Sequence, residues 1–216
     1  MSFFGAPKIP KAEKVDKTPY TLHYPHTSTN PRPEVGFIRA ISIDPGRNNF
    51  AFRMEDRYPN GMITPLVYEK VAIKEVTDTN GVTLCNTYKN LTAFLEKFID
   101  YYSLCRLVVI ERQLPNNYQA VRISQHVISY YSLRLFNSPL LPEIYEVAPT
   151  LKSQIFHKPK CEDLKKWSVV VAREFFERTG DTISLKILDK EKKKDDLADT
   201  KTQLEALFYY WSTRTQ

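Results

Sequence analysis

The sequence predicts an α/β fold in which helices flank a mixed five-stranded sheet, in the order β-β-β-α-β-α-β-α-α. Three β-rich segments joined by short turns come first, which is typical of an antiparallel meander. Short apolar segments then alternate with segments of helical periodicity. One of them, residues 106–111 (RLVVIE), is apolar and β-branched, as is a strand buried on both faces. Three meander strands followed by strands that alternate with helices indicate a mixed sheet with helices packed on it.

The first 34 residues precede this pattern and contain six of the fourteen prolines. Proline fixes φ and removes a hydrogen-bond donor, so we predict a disordered or extended arm there. The arm is basic through Lys8, Lys11, Lys14 and Lys17. It could follow phosphate groups, pack along a partner or be an unstructured tail. Residues 35–216 then form the folded domain.

The meander begins with residues 37–44 (FIRAISID), whose apolar residues alternate until Pro45 and Gly46 end the strand. Residues 50–58 and 64–76 form the next two strands, joined by a turn at 59–61 (PNG).

The later elements are assigned from periodicity and from turn residues. Gly180 stands where a helix would end in a left-handed residue. We predict helices at 84–104, 116–136, 161–178 and 192–213, and strands at 106–111 and 143–147.

Composition limits the partners and the compartment. The net charge of +6 favours a polyanionic partner, although it could serve only solubility. Cys85, Cys105 and Cys161 are odd in number and lack CxxC spacing, which argues against a disulfide framework or a zinc site. With no apolar run of membrane length and no secretory signal, we expect a soluble intracellular protein without a membrane partner.

Acidic residues stand where the predicted sheet would bring them together. Asp44 ends the first strand, Glu111 ends the fourth, and Asp196 and Asp199 lie in the first turns of the last helix. Neighbouring parallel strands end side by side, and open α/β sheets bind ligands there. Two divalent cations acting on a phosphodiester need several carboxylate oxygens. The sequence therefore predicts an acidic metal site.

Each acidic residue also has a simpler interpretation. Asp44 could be an ordinary turn residue, and the helical pair could merely complement the helix dipole. Glu111 next to an apolar run more often marks a site. We prefer Asp196 with Asp199 because both flank the apolar stripe of the helix, although Asp195 could pair with Asp199.

Three motifs, in this order and on these elements, carry a resemblance: ISIDPG at 41–46, VVIERQ at 108–113 and DDLAD at 195–199. They resemble the RuvC-type Holliday junction resolvases, most of all the group of poxviruses and other large DNA viruses, with fungal mitochondrial resolvases as relatives. The resemblance covers roughly residues 36–213 and implies an RNase H-like fold. It also implies a homodimer that nicks two opposing strands.

The resemblance further implies a role for each matched residue. Asp44, Glu111, Asp196 and Asp199 would be ligands of two Mg²⁺ ions, with Mn²⁺ able to substitute. Lys152 would be the basic catalytic residue near the scissile phosphate, unless it is a solvated lysine in a first helical turn. Arg112 and Gln113 would contact DNA, and no small-molecule cofactor is implied.

Basic residues of the last third could dock DNA beside the acidic pair, or be a solvated loop. Those assigned to DNA binding are Lys158, Lys160, Lys165, Lys192, Lys193 and Lys194.

The 116–136 helix is implied to form the two-fold interface, although its apolar spacing could equally face the core. The residues assigned to the interface are Val121, Ser124, Ile128, Tyr131 and Leu135. An Ile128→Glu substitution is then predicted to give a monomer.

The predicted function is structure-selective resolution of four-way DNA junctions by paired, symmetric, Mg²⁺-dependent nicks, in DNA recombination, replication and repair. The expected location is a cytoplasmic viral replication site or the nucleus. Two alternatives stay open: an RNase H-like nuclease on RNA or RNA–DNA hybrid, and an inactive junction-binding scaffold. IDPGRNN at 43–49 is also similar to the phosphate-binding hairpin of actin-type ATPases, but those enzymes need two such domains and a longer chain.

Overall fold

The computed structural model describes residues 18–24, 36–74, 83–140 and 142–213. Its strands are β1 (Tyr20–Tyr24), β2 (Ile38–Pro45), β3 (Phe50–Arg57), β4 (Ile63–Val71), β5 (Cys105–Glu111) and β6 (Glu143–Val147). They form one sheet in the order β1-β6-β5-β2-β3-β4. β2, β3 and β4 are the antiparallel meander, and β5 runs parallel to both β2 and β6.

Helices cover both faces of the sheet. They are α1 (Thr83–Glu96), α2 (Tyr118–Arg134), α3 (Leu151–Ile155), α4 (Leu164–Thr179), α5 (Thr182–Lys190) and α6 (Asp195–Ser212), with a 3-10 helix at Ile99–Leu104. Among the helices of the described segments, none has the length and apolar character needed to cross a membrane.

The predicted fold class is confirmed, and the sheet has one strand more than predicted. β1 lies inside the segment interpreted as an arm, antiparallel to β6 at the sheet edge. Pro19 and Pro25 bracket it without interrupting it, because an edge strand tolerates proline at its ends. The rest of that segment, residues 1–17 and 25–34, lies outside the described residues.

The helical predictions differ from the structure in three places. The helix predicted over 84–104 ends at Glu96 and is followed by the 3-10 helix. α3 was not predicted because five residues are too few to show helical periodicity. α5 lies between the last two predicted helices, where no element was predicted. Gly180 has a φ of 69° at the end of α4, as predicted.

Alternate residues of the central strands pack against opposite helical layers. Ile41 and Ile43 of β2 lie in the core formed with α1 and α2. Ala40 of β2 and Val109 of β5 lie in the core formed with α3 and α6. β5 is therefore buried on both faces, as its composition predicted. By the same alternation, Asp44 and Glu111 fall on the face covered by α6.

The inner side of α2 belongs to the core of the protein's own domain. Ser124, Ile128, Tyr131 and Leu135 are buried, and Ile128 is only 8% exposed. Tyr131 donates a hydrogen bond to the Tyr102 hydroxyl, 3.2 Å away. These four residues are not available to a second copy, so their assignment to a dimer interface was wrong. The core-facing alternative describes them instead, and Val121 is half-buried beside them.

A buried ionic network fixes α6 to β3. Lys201 Nζ of α6 lies 3.2 Å from Glu55 Oε2 and 2.5 Å from Glu205 Oε1. Arg53 is fully buried and pairs with Glu55 at 2.5 Å and with Asp181 at 2.9 Å. Burial alone would favour the neutral acid, yet Lys201, Arg53 and Arg57 hold the pKa of Glu55 far below its usual value. Breaking such a network would leave a buried charge without a partner, which is strongly destabilising.

Candidate active site

The carboxyl ends of β2 and β5 place two acidic side chains next to each other. Ile43 pairs with Ile110 in the parallel ladder, and Asp44 and Glu111 each follow by one residue. A tight turn comes after Asp44, in which Gly46 donates a backbone hydrogen bond to the Asp44 carbonyl at 3.0 Å. A Cβ at Gly46 would lie 2.7 Å from the Asn49 backbone oxygen, so only glycine fits this turn without displacing the backbone.

α6 crosses the same edge and contributes Asp196 and Asp199. Hydrogen bonds fix the helix to β2: Ser42 donates to the Thr200 carbonyl at 2.6 Å, and Gln203 Nε2 donates to Ser42 Oγ at 2.8 Å and to the Ile43 carbonyl at 3.0 Å. The first turns of α6 are thereby held over the ends of β2 and β5.

Lys152 joins the acidic residues from α3, which follows β6. Its Nζ lies 3.1 Å from Glu111 Oε2 and 2.6 Å from Asp199 Oδ1, and its side chain is 3% exposed. Burial opposes the charged form, but Asp199 and Glu111 raise the pKa of Lys152 above its usual value. The lysine is therefore a buried cation between two acids, and the solvated-lysine alternative is wrong.

Ser168 is a member of the site that the sequence analysis missed. Its hydroxyl donates to Asp199 Oδ1 at 2.5 Å and lies 3.2 Å from Thr202 Oγ1. Ser168, Ala172 and Phe176 recur at four-residue spacing on the buried side of α4. A serine on an otherwise apolar helical stripe is the signal that could have identified it.

The cluster carries more negative than positive charge, and its pKa values reflect this. Burial raises the pKa of Asp44 well above its usual range, and the charges of Glu111 and Asp199 raise it further. Burial also raises the pKa of Glu111, against the effect of Lys152. Burial raises the pKa of Asp196, against the effect of Lys193. The positive charges of the described protein residues alone do not fully compensate the negative charges of these carboxylates.

Asp195 pairs with a lysine of α4 rather than with Lys152. Its Oδ2 lies 2.8 Å from Lys165 Nζ. Burial opposes the effect, but the hydrogen bond from Lys165 lowers the pKa of Asp195. The structure thus brings Asp199, rather than Asp195, to Lys152 and Glu111.

The donor chemistry suits a hard divalent cation. Asp196 Oδ2 is buried and accepts no hydrogen bond from any described residue, although Lys193 Nζ lies 3.2 Å away. In the part of the chain that the structure describes, however, no three acidic, histidine or cysteine side chains are already arranged to enclose an ion. The ammonium of Lys152 lies between two of the acids. The metal site therefore stays a prediction.

A cleft of about 340 Å³ opens beside Asp44 and Asp196. Gln113, one of the residues assigned to DNA, lines it and donates to the Glu111 carbonyl at 3.2 Å. Arg112 turns instead toward β1, where Nη2 donates to Thr21 Oγ1 at 2.6 Å and to the Glu146 carbonyl at 3.3 Å. The other residues of this cleft are Gly46, Arg47, Asn48, Asn49, Asn117, Gln119, Ala120 and Lys193.

The lysines assigned to DNA, apart from Lys193 in the cleft, form two groups. Lys165, Lys192 and Lys194, together with Lys166, line a groove of about 310 Å³ where α4 and α6 begin. We call it the lysine groove. Lys158 and Lys160 lie apart, in the loop between α3 and α4. Lys158 donates to the Pro159 carbonyl at 2.8 Å and to the Glu162 carbonyl, so its charge is directed at its own loop.

Comparisons with known proteins support the same fold. No protein-family model matches the chain. Uncharacterized protein 170L of Invertebrate iridescent virus 6 is 28% identical over 145 residues, which cover 58% of this chain and 58% of that protein. The chain thus matches little more than half the length of that relative.

Three solved structures are similar over most of the chain. The yeast mitochondrial Holliday junction resolvase Ydc2 has a TM-score of 0.60 at 14% identity, covering 81% of both chains. RuvC of Thermus thermophilus has a TM-score of 0.56 at 14% identity, covering 82% of this chain and 96% of its own. Fowlpox virus resolvase, solved with Holliday junction DNA, has a TM-score of 0.51 at 19% identity, covering 82% and 99%. The RNase H-like fold of these resolvases, which the three motifs predicted, is confirmed.

Proposed function

We propose that this protein is a structure-selective endonuclease that resolves four-way DNA junctions by hydrolysing one phosphodiester bond in each of two opposing strands. One observation carries the proposal. Asp44, Glu111 and Asp199 meet at the carboxyl edge of a resolvase-like sheet, with Lys152 buried between Glu111 and Asp199. An acidic cluster with a single buried cation is suited to phosphodiester chemistry and has no evident structural purpose.

The residues that would hold Mg²⁺ are Asp44, Glu111, Asp196 and Asp199. Their carboxylate oxygens are the ligands that Mg²⁺ prefers, and Asp196 Oδ2 lacks a hydrogen bond from any described residue. We propose two ions in each site, with Mn²⁺ able to replace them. Bound divalent cations supply charge neutralisation at the phosphate and a lowered pKa for water.

The chain's own residues would orient and stabilise the reacting phosphate. Lys152 is held charged by Glu111 and Asp199, so it would supply a fixed positive charge to stabilise the negative charge that develops on the phosphate. Ser168 fixes the Asp199 carboxylate through its hydrogen bond. Gln203 and Ser42 are positioning residues, because they hold α6 over the end of β2.

DNA would reach the carboxylates along the lysine groove. Lys165, Lys166, Lys192 and Lys194 can exchange the counterions of several phosphates for their own charges. Such contacts orient the substrate without reading its sequence. Gln113 in the cleft would lie beside the DNA strand near the scissile bond. Lys193 would contribute from the same side once a cation replaced it as the partner of Asp196.

Two symmetric cuts require two symmetric sites, so we propose a homodimer. The side of α2 that faces away from the core is the surface available for it. Tyr118 at the start of α2, Leu133 near its end and Phe136 just beyond it are exposed, Leu133 by 80%. Exposed large apolar side chains that lie close together, as Leu133 and Phe136 do in the chain, are typical of a protein interface.

Cleavage of matched substrates tests the proposal. End-labelled four-way junction, linear duplex and RNA–DNA hybrid are incubated with the protein, with Mg²⁺ or with EDTA. Asp44→Asn is the site variant, and Asp100→Asn, an exposed acid in the 3-10 helix before β5, is the control.

We expect paired, symmetric nicks in the junction, lost in EDTA and in Asp44→Asn but retained in Asp100→Asn. Cleavage of the hybrid in preference to the junction would change the substrate to RNA–DNA. Junction binding without cleavage of any substrate would make the protein an inactive scaffold.

A further inference from the structure

We propose that Ser168 is a positioning residue that makes the carboxylate site selective for Mg²⁺ over Ca²⁺, because it holds one oxygen of Asp199 and leaves the other open to a cation. This inference rests on the proposed function and concerns the ion that the same site takes. Two donors converge on Asp199 Oδ1. Ser168 Oγ of α4 lies 2.5 Å from this oxygen, and Lys152 Nζ of α3 lies 2.6 Å from it.

These two donors use the acceptor capacity of Asp199 Oδ1. An ionised carboxylate offers about four lone-pair sites, about two on each oxygen. Ser168 and Lys152 fill the sites of Oδ1, and no hydrogen bond from a described residue reaches Oδ2. Oδ2 therefore remains as the oxygen of Asp199 that can bind a cation.

The two donors come from different helices, and together they fix the rotation of the Asp199 carboxylate. The terminal torsion of an aspartate has a broad energy profile, so a single contact leaves the carboxylate free to turn. Lys152 also contacts Glu111 Oε2, 3.1 Å away, and by itself it does not define how Asp199 is turned. Ser168 is fully buried and supplies the second fixed point.

The Ser168 hydroxyl is not needed to satisfy its other neighbour, Thr202. The two hydroxyl oxygens lie 3.2 Å apart, but Thr202 Oγ1 already donates to the Ala198 carbonyl at 3.1 Å. A hydroxyl has one proton to donate, and the carboxylate of Asp199 takes that of Ser168. An alanine at position 168 would thus leave Thr202 its hydrogen bond and deprive Asp199 of its second donor.

Asp196, the other acid at the beginning of α6, is not oriented in this way. Lys193 Nζ lies 3.2 Å from each of its two carboxylate oxygens, and the Lys193 side chain is 46% exposed. The Asp196 carboxylate can therefore turn to suit a cation, whereas the orientation of Asp199 is set before a cation binds.

A carboxylate that offers only one oxygen discriminates between Mg²⁺ and Ca²⁺. Mg²⁺ requires octahedral coordination at about 2.0–2.1 Å, which single oxygens of separate carboxylates can supply. Ca²⁺ takes about six to eight oxygens at about 2.3–2.6 Å and can bind both oxygens of one carboxylate. Because Ser168 and Lys152 occupy Oδ1, Asp199 offers one oxygen only, which favours Mg²⁺.

Stabilisation of the DNA-free protein by cations tests the proposal, because a ligand that binds the folded state raises Tm by an amount that depends on its Kd. Bound metal is removed with EDTA, and Tm is then measured against the concentration of Mg²⁺ or Ca²⁺ at constant ionic strength. Ser168→Ala removes the hydroxyl, and Ser168→Cys fills the same buried position with a weaker donor. Ser124→Ala is the matched control. Ser124 is also fully buried and donates to a carboxylate, Glu146 Oε1 at 3.2 Å, but it lies in α2 on the other face of the sheet.

We expect the Kd for Mg²⁺ to rise about 10–100-fold in Ser168→Ala, which is the usual effect of removing a group that orients a metal ligand. The Kd for Ca²⁺ should rise less than about threefold, since Asp199 is then free to offer both oxygens. Ser168→Cys should lose preference for Mg²⁺ to a smaller extent, and Ser124→Ala should keep both wild-type Kd values.

Equal losses of affinity for Mg²⁺ and Ca²⁺ in Ser168→Ala would overturn this inference alone, because they would indicate a general loosening of the site. An unchanged Kd for Mg²⁺ in the folded variant would overturn it as well. If Ser168→Ala does not fold in EDTA, Ser168→Cys decides by the same comparison. A wild-type protein that bound neither cation would overturn the proposed metal site and this inference with it.

Discussion

Replacing Lys152 with methionine removes the cation of the site with little change in side-chain volume. The side chain is 3% exposed, and Nζ lies 3.1 Å from Glu111 Oε2 and 2.6 Å from Asp199 Oδ1. The variant therefore leaves two carboxylates without their cationic partner, next to Asp44, whose pKa is already raised by burial and by the same two acids. We predict a loss of both stability and cleavage activity.

The size of the stability loss depends on how far water can reach Glu111 and Asp199. Breaking a fully buried ion pair costs about 3–5 kcal/mol. Glu111 and Asp199 keep 15% and 20% of their side-chain surface, so partial hydration reduces the expected loss to about 2–3 kcal/mol. For a domain of this size that corresponds to a fall in Tm of about 5–10 °C. Loss of a fixed charge at the developing phosphate charge costs about 10²–10³ in kcat.

Thermal unfolding in EDTA and single-turnover cleavage of a labelled junction measure the two effects separately. Lys152→Arg is the matched control, because it keeps the positive charge and changes its shape. It should retain most of the stability and part of the activity. A folded Lys152→Met protein that cleaved within about threefold of the wild-type rate would refute the argument, since the effect of the charge would then be missing.

Two other predictions concern the carboxylates and the exposed side of α2. Burial and neighbouring acids raise the folded-state pKa of Asp44, so Asp44 stabilises the fold only while it is protonated, and this stability is lost as pH rises through the folded-state pKa. Asp44→Asn should therefore abolish cleavage yet raise Tm by about 3–6 °C at pH 7 in EDTA. This gain in Tm should shrink at acidic pH, where Asp44 of the wild type is protonated. A Tm difference between variant and wild type that did not depend on pH would contradict the raised pKa of Asp44 as its cause. Leu133→Glu should give a folded monomer in sedimentation that makes no paired cuts, whereas the buried Ile128→Glu should unfold the domain. A dimeric Leu133→Glu protein would exclude this side of α2 as the interface.

The sequence predicted the fold and the acidic positions because both depend on short-range patterns. The strand at 37–44 ends in Asp44 before a proline and a glycine, and the apolar run of β5 ends in Glu111. Strand alternation then puts both side chains on the face that α6 covers. Such an arrangement needs only the period of the strands and the parallel pairing of β2 with β5.

Contacts between distant segments could not be predicted in the same way. The spacing of α2 indicates an apolar face, but periodicity does not tell whether the protein's own sheet or a second copy covers it. Lys152 lies in a five-residue helix that shows no period, so its burial between Glu111 and Asp199 depends on where α3 follows β6. β1 is short and lies among prolines, and its strand structure depends on pairing with β6, more than a hundred residues away.

α6 explains how the fold tolerates an acidic cluster that works against its stability. Asp196 and Asp199 at its beginning face Asp44 and Glu111, and mutual repulsion would favour a helix displaced from the sheet. One turn further along, Gln203 is bonded to β2, and Lys201 is paired with Glu55 of β3.

These contacts are buried and lie on two neighbouring strands, so they fix both the position and the rotation of α6. The stability that the fold loses through repulsion between the carboxylates is thus offset by contacts that lie outside the proposed binding site. If this site binds the cations and DNA that we propose, its preformed arrangement would spend little binding free energy on ordering the ligands. The prediction that Asp44→Asn is more stable and inactive follows from the same arrangement, because the substitution relieves the repulsion without loosening α6.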